Sequence, residues 1–254
     1  MQKGIKGKPE ILIDPNKLSI DGTVALQATA FSKKQRYFAY AVSASGSDWQ
    51  EINILDFNTK KLLSDKIEYV KFTGMSWVGD DGFYYSGYSK PKEEKTKYSA
   101  KTEYQKVFYH KVGTTQEEDM LIYEDKEHPL RYVGAGVTED ERFLILSIAE
   151  GTDGSEIKIK DLQDKSATGF ITLVPGFSTN ADVVDNIGDK ILLKTNSAAP
   201  NYKLVLADPK NPSEANWKSI IPETKEPLTF ATTGGNKIFA GYLKDANTHV
   251  NQHD

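Results

Sequence analysis

The chain has 254 residues, a formal net charge of -4 and no cysteine. The absence of cysteine excludes disulfides, thiolate metal sites and a cysteine nucleophile. Acidic and basic residues are interspersed, so the chain lacks the basic surface that nucleic-acid binding requires. No apolar run approaches the roughly 20 residues that span a bilayer. The apolar fraction of 38% predicts a packed core.

One pattern recurs five times along the chain: an apolar stretch, a polar turn and a second apolar stretch. The second stretches begin near Tyr37, Phe83, Phe143, Ile191 and Ile238. Intervals of roughly 45 to 60 residues are typical of propeller blades and kelch-like arrays. The repetition therefore predicts one structural unit copied along the chain.

Each predicted hairpin is followed by two more strand-like segments. The third segments are EINILDF, KVFYHKV, EIKIKDL, YKLVLAD and THVNQHD, and the fourth are LLSDKIE, DMLIYED, FITLVP and WKSIIPE. Alternating residues such as Ile52 and Ile54 predict strands with one buried face. Four antiparallel strands make a blade. The sequence thus predicts an all-β propeller of about five blades, as a single domain over residues 1–254.

The two ends of the chain complement each other in this pattern. The fifth repeat stops in its third strand, and ILIDPN near the N-terminus has the pattern of a fourth strand. Pairing these segments would complete a fifth blade and close the ring through its termini, as many propellers do. The charged segment from Lys90 to Lys106 is predicted to be a solvated loop.

An ordered series of motifs resembles the early propeller blades of prolyl oligopeptidases. DPN, DGTVAL and ASGSDW are followed by VKFTGMSW, YHKVGTTQEED, LSIAEGTDG and TNSAAPNYKL, and the resemblance covers essentially the whole chain. It implies a parent serine peptidase that cleaves short peptides after proline. Such enzymes join a seven-bladed propeller to an α/β-hydrolase domain, and the propeller restricts access to small peptides.

The resemblance also implies what this chain lacks and what it needs. It holds about five of the seven blades, without the family's first blade, its last ones or the hydrolase domain. The expected partners are that hydrolase domain and short proline-containing peptides, with no cofactor, metal, nucleic acid or membrane. The expected compartment is the cytoplasm. The alternative is the periplasm, if a signal peptide was lost with the N-terminus.

The sequence carries no motif for a catalytic nucleophile. An α/β-hydrolase presents its serine on a G-x-S-x-G elbow, and none occurs here. Ser47 in ASGSDW is predicted to lie in a polar loop with Trp49 packed over it. His110 is predicted to be a strand residue, His128 to lie in a turn, and the last two histidines to be exposed at the chain end. We therefore expect no catalytic residue and no metal ligand in this chain.

Three acidic groups suggest a different class of function. They are Asp80-Asp81, Glu117-Glu118-Asp119 and Glu139-Asp140-Glu141. Paired carboxylates serve glycoside hydrolysis, and some glycosidases are five-bladed propellers. Here the groups recur in equivalent turns, where acidic residues favour the turn itself. A calcium site at GTDGSE does not fit the spacing of an EF-hand loop.

The resemblance implies three substrate-binding residues. Phe72 takes the position of an aromatic pocket residue in the VKF segment. Val133 and Thr152 take positions where family members often carry methionine and cysteine, and Ala149 stands where an arginine is common. Packing between blades is the structural alternative for each. A free-standing propeller that binds peptides or partner proteins is the alternative function, and a carbohydrate-active propeller is a third.

Overall fold

The computed structural model describes residues 1–2, 4–90, 102–166 and 168–254. These residues form antiparallel strands and short 3-10 helices at Pro15–Lys17, Gln116–Glu118 and Glu214–Asn216. The all-β prediction is confirmed. Most of the loop predicted between Lys90 and Lys106 lies outside the described residues. Among those described, no helix is long and apolar enough to cross a membrane.

Two compact units divide the chain, Met1–Pro129 and Leu130–Asp254. The first unit begins with a sheet whose strands pair in sequence order: β1 (Val24–Phe31), β2 (Tyr37–Ala44), β3 (Gln50–Asp56) and β4 (Leu62–Val70). The turn between β1 and β2 forms because the Ser32 hydroxyl accepts the Tyr37 N–H at 2.9 Å. This is the first predicted blade, with the strands that the repeats indicated.

The second sheet of the first unit contains β5 (Ser76–Val78), β6 (Gly82–Gly87), β7 (Lys106–Lys111) and β8 (Met120–Glu124). It joins the first sheet where Val70 of β4 pairs with Gly87 of β6. Alternate residues of β2 and β3 point into a core with Trp77 and Phe83 of the second sheet. Trp77 therefore packs between the two sheets.

The second unit contains three sheets. The first has β9 (Tyr132–Val137), β10 (Phe143–Ala149), β11 (Glu156–Asp161) and β12 (Ile171–Val174). The next has β13 (Ala181–Ile187), β14 (Lys190–Thr195), β15 (Lys203–Ala207) and β16 (Lys218–Ile221). The last has β17 (Leu228–Gly234), β18 (Lys237–Lys244) and β19 (Asn247–His253). The second and third strands of each sheet coincide with predicted repeat segments.

Separate apolar cores lie between neighbouring sheets of the second unit. One contains Phe143 and Ile159 of the β9–β12 sheet with Ile191 and Val205 of the next sheet, and Trp217 packs against it. Another joins Leu192 and Leu204 to residues of the last sheet. Because β14 and β15 bury both faces, the central sheet contributes to both cores. Such two-sided burial is expected of stacked blades.

The prediction of a strand at ILIDPN is wrong. Its residues form no strand, and the chain enters a 3-10 turn at Pro15, which cannot donate a ladder hydrogen bond. The Asp14 carboxylate accepts the Asn16 N–H at 3.1 Å and stabilises that turn. The sheet of β17, β18 and β19 has three strands. Ring closure through the termini and a single domain over residues 1–254 stay predictions.

The chain end is more regular than expected. His249 and His253 were predicted to lie exposed at a ragged end, yet both belong to β19. His249 is exposed, whereas His253 is half-buried. The cause is the complete antiparallel pairing of β18 with β19, from Ile238 opposite His253 to Lys244 opposite Asn247.

Candidate substrate-facing residues

Phe72 lies in the connection between β4 and β5, with 56% of its surface exposed. Its backbone has a φ of 52°, in the left-handed region, and Tyr69 three residues earlier has a φ of 56°. Residues other than glycine seldom adopt this conformation, because it costs about 1–2 kcal/mol. The two left-handed residues turn the chain so that a large apolar ring faces solvent.

Hydrogen bonds from the second sheet hold this connection in place. The Tyr69 carbonyl accepts the Tyr88 N–H at 2.9 Å. The carbonyl of Lys71 accepts the side-chain amide of buried Gln105 at 3.0 Å. After Phe72, the Thr73 hydroxyl accepts the Ser86 N–H at 2.8 Å. The backbone on both sides of the exposed ring is therefore fixed.

Lys71 connects Phe72 to the loop between β2 and β3. Its ammonium lies 5.4 Å from the centre of the Phe72 ring and 5.2 Å from that of Trp49. The same ammonium lies 3.3 Å from the Asp48 carboxylate. Cations within about 6 Å of an aromatic centre are attracted by the ring. Sequence reasoning missed Lys71, because its partners Asp48 and Trp49 lie in a different loop of the chain.

Trp49 packs in a small buried cluster with Tyr69 and Tyr88. The rings of Trp49 and Tyr88 meet edge to face, with centres 5.5 Å apart. The Ser47 hydroxyl accepts the Trp49 N–H at 3.1 Å. These contacts agree with the predicted structural role of Ser47 in a polar loop beneath Trp49.

Val133 and Thr152 lie in the second unit. Val133 is buried on β9, where it pairs with Ile148 of β10. Thr152 is exposed in the loop that follows β10. The pairing of β9 with β10 brings Val133 beside the end of β10 that leads into this loop. Phe72 belongs to the other unit, so convergence of the three residues on one pocket stays a prediction.

A guanidinium lies near the position where the family's arginine is absent. Arg131, just before β9, contacts Glu150 through Nε at 3.2 Å and through Nη2 at 3.0 Å. Its guanidinium carbon also lies 4.9 Å from the centre of the Phe177 ring. Ala149 is half-buried and pairs with Tyr132. Sequence reasoning missed Arg131, because its partner Glu150 is 19 residues away.

The first strands of the three sheets in the second unit border a depression of about 470 Å³. Asp185 joins them: its carboxylate accepts the Glu139 N–H at 3.0 Å and the Thr233 hydroxyl at 2.7 Å. Small or polar residues make up much of the lining, namely Gly134, Gly136, Thr138, Ser147, Thr232 and Thr233. The acidic residues Glu139, Asp182 and Asp185 also line the depression, so its wall combines small and acidic residues.

The histidines have structural surroundings. His110 is fully buried on β7 between Asp65 and Asp119, in contact with both carboxylates. His128 lies in a turn and contacts Asp125 at 2.9 Å. Within the described residues, no group of three or more His, Asp or Glu side chains could hold a metal ion. These surroundings agree with the predicted structural roles of His110 and His128.

The acidic turns act as hydrogen-bond acceptors. Asp80 accepts the Lys34 N–H at 3.0 Å. Glu118 caps a 3-10 helix by accepting the Thr115 N–H at 2.9 Å, and this hydrogen bond lowers the pKa of Glu118. Asp140 accepts hydrogen bonds from Thr138, Arg142 and Asn186. The carboxylates are used within the fold, which supports the turn interpretation over glycoside hydrolysis.

Comparison with known proteins gives one family. The family model described as prolyl oligopeptidase, N-terminal beta-propeller domain, matches residues 1–254. Prolyl endopeptidases of Elizabethkingia meningoseptica and Elizabethkingia miricola are 47% and 44% identical to this chain over 253 residues. The alignments cover 100% of the chain and 35% of each relative. The chain thus spans about a third of their length.

Solved structures share the fold. One from a study of two prolyl endopeptidases and their inter-domain dynamics has a TM-score of 0.85 and 30% identity, over 99% of this chain and 35% of that chain. Prolyl oligopeptidase B from Galerina marginata, bound to a 35mer hydrolysis and macrocyclization substrate, has a TM-score of 0.84 and 27% identity, over 94% and 35%. The predicted propeller fold and the family resemblance are confirmed.

Proposed function

Because this chain belongs to the prolyl oligopeptidase family, as its N-terminal β-propeller domain, we propose that it is the non-catalytic part of a serine endopeptidase that cleaves short peptides after proline. The observation that carries the proposal is the family match over residues 1–254. The absence of a G-x-S-x-G motif from the sequence supports a catalytic serine that lies in another domain. The expected compartment of the parent enzyme is the cytoplasm.

The role that we propose for the propeller is selection and positioning of the substrate. A hydrolase domain would supply the serine, histidine, aspartate and oxyanion hole that acyl transfer needs. The propeller would admit short peptides and keep folded proteins away from that site. The depression bordered by β9, β13 and β17 supports a path for an extended peptide, because much of its lining is small or polar.

Phe72 is the residue that we propose to contact the substrate most directly. Its ring is exposed and its backbone is fixed by hydrogen bonds on both sides. A rigid aromatic surface suits the apolar ring of proline or of its neighbours, since burial of apolar area drives such contacts. We propose Val133 and Thr152 as further substrate-binding residues, with Thr152 supplying a hydroxyl from its exposed loop.

A chimaera tests this proposal. This chain would replace the corresponding part of the Elizabethkingia meningoseptica prolyl endopeptidase, with which it shares 47% identity. In the chimaera, Phe72→Ala should lower kcat/KM for a short proline peptide by about tenfold, the loss of roughly 1.4 kcal/mol of apolar contact. The matched control is Leu62→Ala, because Leu62 on β4 is also 56% exposed. Equal kinetics for the two variants would contradict a substrate contact by Phe72.

A further inference from the structure

The buried ring of His110 joins the first two sheets. His110 lies on β7 with 0% of its side chain exposed. Its Nδ1 is 2.7 Å from Oδ1 of Asp119, which precedes β8 in the same sheet. Its Nε2 is 3.1 Å from Oδ1 of Asp65, which lies on β4 in the other sheet. One imidazole therefore contacts two carboxylates on opposite sides.

The hydrogen-bond partners of the two carboxylates bear on the protonation of the His110 ring. The other partners of the two carboxylates are donors as well. Asp65 Oδ1 accepts the Gly113 N–H at 2.5 Å, and Asp119 Oδ2 accepts the Tyr85 hydroxyl at 2.6 Å. An ionised carboxylate only accepts hydrogen bonds. A ring that donates to both Asp65 and Asp119 carries a proton on each nitrogen and is a cation.

The surroundings favour that cation. Burial alone would lower the pKa of His110, but the hydrogen bonds and negative charges of Asp119 and Asp65 outweigh burial and raise the pKa. Tyr85 on β6 is the fourth titratable group in the cluster, after His110, Asp65 and Asp119. Burial raises the pKa of Tyr85, and its hydrogen bond to Asp119 raises it further, so its hydroxyl stays a donor.

A neutral group and an aromatic ring complete the cluster. The Gln116 amide donates to the Glu68 carbonyl on β4 at 2.9 Å and lies 3.5 Å from the Tyr85 hydroxyl. The Phe83 ring lies 5.6 Å from the imidazole, centre to centre. Within the described part of the chain, the charged side chains that contact His110 are the carboxylates of Asp65 on β4 and of Asp119 before β8.

We propose that the doubly protonated ring of His110 holds the first two sheets together, as a clasp between Asp65 and Asp119. Loss of one of its protons then loosens the junction of those sheets. A neutral ring would direct a lone pair at a buried carboxylate, and a buried charge without its partner is strongly unfavourable. The connection that carries Phe72 joins the same two sheets. The inference concerns this junction and is independent of the proposed peptidase role.

The direction of the pH effect follows from the raised pKa. A group whose pKa is higher in the closed state stabilises that state fully below its ordinary value, which is 6.5 for histidine. The stabilisation declines as pH rises above that value and is lost once pH has passed through the raised pKa. In that window the opening constant of the junction should rise by up to about tenfold per pH unit, since one proton is linked to opening.

Nuclear magnetic resonance on the 254-residue chain tests the charge state directly. Long-range proton–nitrogen spectra should show both His110 nitrogens protonated at neutral pH. Exposed His249 provides a reference signal in the same chain. Asp65→Asn keeps an oxygen acceptor and removes the charge, so it should move the His110 titration to lower pH. A neutral His110 at pH 7 would overturn the proposal, and this result does not depend on the variant folding.

Hydrogen exchange tests the clasp. The Tyr88 amide donates a hydrogen bond to the Tyr69 carbonyl at the junction. Its protection, corrected for intrinsic exchange rates, should fall as pH rises through the His110 titration. Amides of β10 and β11 in the second unit should keep their protection over the same range. An unchanged protection of Tyr88 across the His110 titration, or an equal loss in both units, would overturn the proposed coupling.

Discussion

Lys71 covers the Trp49 ring with a cation that is largely removed from water. The ammonium lies 5.2 Å from the ring centre, and the Lys71 side chain is only 14% exposed. Its carboxylate partner Asp48 is 63% exposed. Exposed ion pairs contribute little, whereas cation–π contacts gain strength when the cation is desolvated. The aromatic rings, more than the carboxylate, should therefore hold Lys71 beside Phe72.

Replacement of Lys71 by methionine tests this balance. Lys71→Met keeps an unbranched apolar stem and removes the charge, so it should lower the free energy of unfolding by about 1 kcal/mol. Asp48→Asn should cost less than about 0.5 kcal/mol, because the pair is half in solvent. Urea unfolding of both variants measures the difference. Equal losses of unfolding free energy in the two variants would show that the ion pair, and not the aromatic rings, accounts for the stabilisation by Lys71.

The left-handed backbone of Phe72 gives a second prediction. Phe72→Ala removes the exposed ring but keeps a Cβ at a φ of 52°, whereas Phe72→Gly also removes the steric cost. We expect the glycine variant to be more stable than the alanine variant by about 0.5–1 kcal/mol, after the larger entropy loss of glycine. Thermal unfolding of the pair measures this. A more stable alanine variant would contradict the strained turn.

Gly154 should be intolerant of a side chain. It has a φ of 81°, and a Cβ built on it would overlap the backbone carbonyl of Phe177. Gly154→Ala should therefore destabilise the second unit by about 2 kcal/mol or more. Gly151→Ala is the matched control in the same loop, because no atom lies within 4 Å of its Cβ position. Unfolding monitored by hydrogen exchange in β10 and β11 distinguishes the two variants, and equal stability would contradict the account of this loop.

Asp140 should make a pH-dependent contribution in the second unit. Burial alone would raise the pKa of Asp140, but hydrogen bonds from Asn186, Arg142 and Thr138 outweigh it and lower the pKa. A lowered pKa means that the stabilisation is present above the ordinary value of 3.8 and is lost as pH falls through the depressed pKa. Asp140→Asn should therefore destabilise the protein near neutral pH, by less than about 1 kcal/mol for an exposed carboxylate.

Thermal unfolding over a range of pH measures this effect. The difference between the native chain and Asp140→Asn should shrink as the medium is acidified. Asp189→Asn is the control, because the Asp189 carboxylate is half exposed and lies 4.0 Å from Lys190. A difference for Asp140→Asn that stays constant with pH would show that charge is not the cause.

Strand pattern was readable from the sequence because blade repetition places apolar residues at matching positions. The second apolar stretches, predicted to begin near Tyr37, Phe83, Phe143, Ile191 and Ile238, all lie in second strands. The failure at ILIDPN has a local cause. Its three consecutive apolar residues suit a strand, but Asp14 and Pro15, which follow directly, begin a 3-10 turn instead. The spacing of apolar residues does not reveal that a side-chain hydrogen bond to the backbone competes with strand formation.

The site was less readable than the fold. Phe72, Val133 and Thr152 were identified by resemblance, and nothing in their spacing predicted that Phe72 would be exposed on a left-handed turn. The cluster around His110 was also invisible, because Asp65 lies 45 residues away in another sheet. Contacts between blades depend on three-dimensional register, which one sequence does not encode in any short motif.

Release of chromophore from a Gly-Pro substrate tests the central claim most directly. The measurement compares the 254-residue chain alone with the chimaera that adds the remaining part of the Elizabethkingia meningoseptica enzyme. We expect no turnover by the chain alone and clear turnover by the chimaera. Hydrolysis by the isolated chain would contradict a non-catalytic propeller. A folded but inactive chimaera would contradict the peptidase assignment and favour a free-standing propeller that binds peptides or partner proteins.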